Sequence, residues 1–372
     1  LIAILVFGLI VFIHELGHFI AAKFSGVTVY RFSIGFGPAL IKKEFHGTLY
    51  AIRLLPLGGS VAMKGEDDDE GNEIEDPTGS FNNAKLSHRF LIAFAGSFMN
   101  FLMGFVLIVI TLWPAQALPT RNISGLAEGF PYGGEQGLQV GDEILQVNDV
   151  HIFLYGDIAS ALQLGAGEPY DITVRRDGKK VELQDLPLEP QEYVQEDGTT
   201  ARHYGLQFAV EEATVGNKLR YSVNNTGSFM QSVVLGLKQI FSGQVERDDV
   251  MGTVGIAYEI SNRAKTSALD MWYFVAFLSV NLSIMNLLPI PGLDGGKILF
   301  LLIELVRRKP VPAQYEGIVQ VVGLVLIFGL FLFVTYNDIV RLIAVRIWEK
   351  RPDRSKWGAS PSVVARPFVY NR

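Results

Sequence analysis

His14-Glu15-Leu16-Gly17-His18 has the residue types and the spacing of a reaction centre. On a helix, histidines at i and i+4 project from one face a turn apart, so both imidazoles can reach one zinc ion. Glu15, next to the first of them, can then approach the attacking water as general base. Zinc lowers the pKa of water to about 7, which makes peptide hydrolysis at neutral pH the natural chemistry of this set.

Two histidines leave a catalytic zinc one protein ligand short. The chain contains no cysteine, so the third ligand must be His, Asp or Glu, and neither a disulfide framework nor a Cys-ligated metal site is possible. Asp294 is the evident candidate, in Asn286-Leu-Leu-Pro289-Ile-Pro291-Gly-Leu-Asp294-Gly295-Gly296, where two prolines must break a helix and two glycines allow tight backbone. The alternative is an aspartate that merely caps a turn.

The elements that must hold these residues are apolar. Of 372 residues 49% are hydrophobic and 19% charged, and the mean hydropathy is +0.27, high for a water-soluble protein. Four runs lack charge: 1–13, continuing through apolar residues to Ala22, then 90–120, 271–293 and 317–337. About 20 apolar residues cross the hydrocarbon core as a helix, so the chain reads as a four-span membrane protein. A cleaved signal peptide is the alternative for the first run, but no basic n-region or small-residue cleavage site supports it. With no initiator Met, a few residues are expected to precede Leu1. Two imidazoles and a carboxylate within a span are costly, and ionisable groups at that depth mark functional sites.

Charge also sets orientation. The stretch from Lys23 to Arg89 holds eight Lys/Arg and that from Lys297 to Lys309 four, which puts both in the cytoplasm. The long segment between Arg121 and Asp270 then faces outward. The tail from Arg341 carries eight basic residues on the outer side, against the rule. The net charge of −6 comes from Glu66 to Asp76, with eight carboxylates, and the remainder sums to +2, which leaves no electrostatic footprint for nucleic acid.

The first-span motif together with Asn286, Pro289, Pro291 and Asp294-Gly295-Gly296 resembles the site-2 protease family of intramembrane zinc metalloproteases. The likeness is strongest to the bacterial branch that includes the regulator of sigma-E protease. Arg31-Phe-Ser-Ile-Gly35-Phe36-Gly37, Pro56-Leu-Gly58-Gly59, Ser80-Phe-Asn-Asn83 and Tyr336-Asn337-Asp338 add to it, and it runs from residue 1 to about 343. The resemblance implies that His14, His18 and Asp294 bind Zn2+, that Glu15 is the catalytic base, and that Asn286 helps hold substrate or stabilise the oxyanion. It implies a bacterial cytoplasmic (inner) membrane enzyme whose substrates are single-span membrane proteins, anti-sigma factors or signal-peptide remnants, already trimmed by another protease. Thr253 stands where the family often has Pro.

Between the first two spans, Thr28 to Met63 alternates β-branched and aromatic runs with glycine punctuation, which predicts hairpins. An edge strand there could take up an unwound substrate segment by strand addition. By resemblance Gly35, Phe36 and Gly37 are the candidates, with a structural turn as the alternative; Pro289 and Pro291 are further substrate-binding candidates. Gly137-Leu-Gln-Val-Gly141-Asp142-Glu-Ile-Leu-Gln-Val-Asn148 looks like the core of one extracytoplasmic α+β PDZ domain, where the sigma-E branch has a tandem pair. It either captures peptide segments or filters substrates by size. Met230, Val233, Val234, Leu237 and Ile240 form a helical stripe suited to a partner element or the membrane surface. Asn100 and Asn281 fit interhelical hydrogen bonds or a substrate role.

The expected plan is a membrane α-helical protein. It has a first span at 1–24, a cytoplasmic-side loop with membrane-associated β-hairpins at 25–89, and a second span at 90–118. The PDZ-like domain at 119–208 and an amphipathic linker region at 209–270 follow. A third span at 271–296, a cytoplasmic loop at 297–316, a fourth span at 317–343 and a tail at 344–372 complete it. Two rival classes are a scaffold with a degenerate protease fold, disfavoured by the intact motif, and a metal transporter. The transporter would need metal-binding residues along more spans, and the second and fourth runs have none between their flanking charges.

Overall fold

The computed structural model describes residues 1–66, 78–165, 167–194, 200–243 and 251–349. Most of the acidic run, and the tail beyond residue 349, lie outside them. In chain order the first elements are α1 (Ile2–Phe24), β1 (Val29–Phe45), β2 (Thr48–Met63) and α2 (Leu86–Leu112). There follow β3 (Ala117–Leu126), β4 (Glu143–Val147), β5 (Val150–His151), α3 (Tyr155–Leu164), β6 (Tyr170–Arg176), β7 (Lys179–Leu186), β8 (Gln191–Val194), β9 (Thr200–His203) and β10 (Leu206–Glu212). Five helices end the described chain: α4 (Val215–Ser242), α5 (Thr253–Thr266), α6 (Ala268–Leu287), α7 (Asp294–Arg307) and α8 (Ala313–Glu349). Four of the helices are long and apolar enough to cross a membrane, over Ile2–Phe24, Leu86–Leu112, Ala268–Leu287 and Gln314–Val340.

The described chain forms two compact units, one from Leu1–Leu107 with the described residues from Val233 to Glu349, the other from Ile108–Ser232. In the first, glycine lets α1 and α2 touch: a Cβ on Gly17 would overlap the Ala95 carbonyl, and one on Gly96 the ring of His18. Small residues at such crossings are how membrane helices approach closely. Ala3, Val6 and Ile10 of α1 bury against Ile260 of α5 and Met271 and Val275 of α6. The other end of α1 packs through Ala21 and Ala22 on Val29, Met63 and Ile92.

β1 and β2 form the expected hairpin, joined by His46-Gly47 with both φ positive (50° and 70°), the two-residue turn whose twist suits paired strands. The hairpin then folds back on itself. Residues 31–34 pair on one side with 49–52, and 29–34 on the other with 59–63, while 41–45 pair with 48–52. The bends fall at Gly35 and Gly37 (φ 87° and 86°) and at Gly58 (φ 82°), so residues 59–63 become an edge.

Several expected boundaries shift. The second span was placed at 90–118, but α2 stops at Leu112 because Pro114 cannot continue it. The third was drawn as one element over 271–296; α6 instead ends at Leu287, two residues before Pro289, and Asp294 opens a separate helix. The loop drawn at 297–316 is therefore mostly α7, closed by Arg308 in the left-handed conformation (φ 56°) ahead of Pro310 and Pro312. The linker at 209–270 contains the end of β10 and all of α4 and α5, and α8 runs past 343 to Glu349. Along α4 the expected stripe splits: Val233 is buried, whereas Met230, Val234 and Ile240 are exposed.

Asp338 of α8 is buried and accepts hydrogen bonds from the amides of Gly252 (3.1 Å) and Gly255 (2.8 Å) at the start of α5. Those are orphan donors of a helix N-terminus. Asp338→Ala is expected to lower the melting temperature of the detergent-solubilised protein, at about 1–3 kcal/mol per buried amide left bare, with Asp338→Asn intermediate.

The second unit is built on a six-stranded sheet in the order β10-β3-β4-β6-β7, with β5 paired to β4. Asp142, almost fully buried, is held by Arg176 through two bonds of 2.8 and 2.7 Å. Asp157 caps α3 by accepting from the amides of Phe153 and Leu154 and from Ser228 Oγ of α4. Burial pushes the Asp157 carboxyl above its ordinary value.

Candidate active site

The two motif histidines lie one above the other near the middle of α1. Nε2 of His14 stands 3.2 Å from Nε2 of His18. Asp294, the first residue of α7, brings Oδ2 to 3.3 Å from His14 Nε2 and Oδ1 to 3.4 Å from His18 Nε2. Among the described residues these three are the group whose ligand atoms converge closely enough for a metal. Donors about 2.0–2.1 Å from a tetrahedral zinc stand about 3.3–3.4 Å apart, so the donor set and its spacing fit the ion.

Backbone geometry presents Asp294 to the histidines. Gly295 and Gly296 lie so close to the Leu288 and Ile290 carbonyls that any Cβ there would collide, which lets α7 start directly on the loop it leaves. That loop is held from α8: Gln320 Oε1 accepts from the Gly292 amide at 2.5 Å, and a Cβ on Gly323 would overlap the Pro291 carbonyl. Arg89 of α2 pairs with Glu304 of α7.

Around the three groups lies a cavity of about 370 Å³, lined by Glu15, Asn286, Leu293 and Gln320 and by the edge residues Gly59, Ser60, Val61 and Met63. Lys297, one turn after Asp294, pairs with Glu66 at 2.5 Å, and both line the same space. Asn286 is thus brought to the site. Pro289 and Pro291 shape the loop beside it without lining the cavity, and Gly35 and Gly37 are at a bend of the hairpin away from its lining.

Some contributors escaped the sequence reading. Gly59 packs on the proposed base, since a Cβ there would stand 2.6 Å from Glu15 Cγ. Gly96 leaves room for the His18 ring, and Ser97 Oγ donates to Asp294 Oδ2 at 3.2 Å. The sequence signals were Pro56-Leu-Gly58-Gly59 in the family resemblance, and a run of small and polar residues, Gly96-Ser97 and Asn100, inside an apolar span. For Gly59→Ala we expect kcat to fall about 10²-fold through displacement of the Glu15 stem, with zinc content unchanged, measured by cleavage kinetics and metal analysis.

An HExxH helix whose histidines meet an aspartate from a second helix, among helices able to cross a membrane, defines a membrane metallopeptidase. The family model for peptidase family M50 matches residues 2–330. A Clostridium perfringens protein whose name carries the words zinc metalloprotease is 35% identical, aligned over 91% of this chain and 97% of its own length. The Bacillus subtilis regulator of sigma-W protease RasP is 30% identical over 91% of this chain and 97% of its own. The zinc metalloprotease RasP of Geobacillus kaustophilus is 31% identical over 90% and 96%. The chain belongs to peptidase family M50, the site-2 protease family. It is a zinc metalloprotease of the intramembrane kind, acting on membrane proteins.

Proposed function

We propose that His14, His18 and Asp294 hold the zinc ion and that Glu15 is the general base of peptide-bond hydrolysis within or beside a substrate's transmembrane segment. The observation that carries this is the convergence of the three ligand atoms beside Glu15 in one cavity. Bound zinc supplies Lewis acidity toward water and the scissile carbonyl. The His18 Nδ1–H donates to the Ile92 carbonyl at 2.8 Å, which leaves the Nε2 lone pair free for a metal. Glu15 removes the proton of the attacking water and returns it to the leaving amine nitrogen. Asn286, on the cavity wall, donates to the substrate carbonyl as its oxygen gains charge.

A substrate helix hides its carbonyls in intrahelical bonds and must be unwound before it can be cut. The edge at 59–63 pairs only with β1 among the described strands and lines the cavity, so it supports strand addition at Ser60 and Val61 in place of Gly35 to Gly37. The charge distribution supports an inner-membrane enzyme with its active site toward the cytoplasm and the PDZ-like segment outside. Substrates of this reading are single-span proteins such as anti-sigma factors or signal-peptide remnants, pre-trimmed elsewhere. The name of the sigma-W regulator relative supports the first class.

The test is metal dependence on a defined substrate. Purified enzyme stripped by a chelator should stop cutting a single-span reporter and resume on addition of one equivalent of zinc. Continued cleavage by metal-free protein would overturn the proposal.

A further inference from the structure

Helix α2 carries none of the proposed zinc ligands, yet it presents a polar group to each of them. The Ile92 carbonyl accepts from His18 Nδ1 at 2.8 Å, Ser97 Oγ donates to Asp294 Oδ2 at 3.2 Å, and the Asn100 carboxamide stands 3.4 Å from Nδ1 of His14. We infer that Asn100 and Ser97 are positioning residues, which set the ring orientation of His14 and the carboxylate orientation of Asp294 for zinc. The inference rests on His14, His18 and Asp294 being the ligands.

Asn100 supplies the sharper argument. Its side chain is fully buried and its Oδ1 has no hydrogen-bond partner among the described residues, while Nδ2 faces the His14 ring. A buried polar group without a partner inside a membrane helix is costly and calls for a reason. An imidazole that gives its Nε2 lone pair to a metal carries its proton on Nδ1, and that proton needs an acceptor. Turning the carboxamide by half a rotation exchanges its oxygen and nitrogen, which are nearly indistinguishable in shape. Oδ1 then accepts from His14 Nδ1–H. The turn leaves Nδ2 unpartnered in place of Oδ1, so zinc binding, which demands the Nδ1 proton, is what selects it.

The Gly96 carbonyl also hydrogen-bonds the His14 ring, since its second lone pair is free of the helix ladder as that of Ile92 is for His18, so Asn100 Oδ1 acts beside it as a second acceptor that fixes the plane of the ring. Asn100 is itself anchored, because its carbonyl accepts from the buried Ser279 Oγ of α6 at 2.7 Å. Ser97, equally buried, gives its hydroxyl proton to Asp294 Oδ2 and so limits how the carboxylate can turn. One face of α2 thereby ties together ligands that come from two separate helices, α1 and α7.

The experiment is a zinc dissociation constant by competition with a chelating indicator, on full-length protein in detergent, alongside metal-free melting curves. Asn100→Leu and Asn100→Ala, two non-accepting variants of different size so that at least one keeps the bundle, and Ser97→Ala should each weaken zinc about 10- to 100-fold. Asn100→Asp, which keeps an acceptor in the same place, should stay within a few-fold of wild type. Wild-type affinity in both the Asn100 and the Ser97 truncations, while His14→Ala fails to bind, would overturn this inference and leave the ligand assignment standing. Wild-type affinity in His14→Ala would instead remove the ligand assignment and this inference with it.

Discussion

Replacing Glu15 by glutamine is expected to lower kcat for reporter cleavage by about 10²–10⁴-fold while leaving one zinc per chain and an unchanged melting curve. Glutamine has the shape of glutamate, so the packing of its stem against Gly59, which tolerates no added atom, is preserved. What is lost is the ability to accept a proton from the attacking water and hand it on. Because that transfer belongs to the transition state, KM should hardly move. Kinetics on a single-span reporter with parallel zinc analysis reads both quantities. A variant that cuts at the wild-type rate would move the base elsewhere on the cavity wall.

Gly96→Ala should be as damaging by a different route. The added methyl would overlap the Nε2 of His18, on the side of the ring where α1 and α2 are in contact. Alanine in a helix is normally favoured over glycine by about 1 kcal/mol. Overpacking of a closed contact costs about 1–3 kcal/mol, so the sign of the net effect is decided by the site. We expect zinc affinity to fall at least about 100-fold, because the alternative to moving the helices is turning a ligand out of place. Gly8→Ala is the control, since a Cβ there meets nothing within 4 Å, and it should keep wild-type zinc and activity. The pair is read by metal content and cleavage rate on the same preparations.

The chemistry was legible in the sequence because it rests on local rules. His14, Glu15 and His18 follow the helix repeat, the missing cysteines narrow the third ligand, and Pro289 and Pro291 announce a break before Asp294. The hairpin was legible through Gly47, where a turn with two positive φ angles joins the strands. The fold-back was not, since nothing local says that residues 31–34 take partners on both sides. Its consequence is that the edge reaching the cavity is 59–63, while the glycines chosen for that part, Gly35 and Gly37, are the bend that makes it possible.

Helix α7 was missed for a related reason. Lys297, Glu304 and Arg307 give it the charge content of a loop, although Asp294 opens it and its apolar residues fall at helical spacing. The contributions of Gly59, Gly96 and Ser97 exist only once α1 is laid against α2 and the hairpin. A glycine or serine in an apolar run looks the same whether it faces lipid or a zinc ligand.

The central claim is that this cavity hydrolyses a peptide bond within or beside a membrane segment, and the position and chemistry of the cut test it most directly. A single-span reporter is incubated with the enzyme in water enriched in oxygen-18, and the products are read by mass spectrometry. The expected result is one heavy oxygen in the new carboxyl terminus, at a bond in or next to the apolar segment, with the labelled product formed about 10²–10⁴-fold more slowly by Glu15→Gln. A cut confined to the reporter's soluble flank, or labelled product formed by the variant at the wild-type rate, would contradict it.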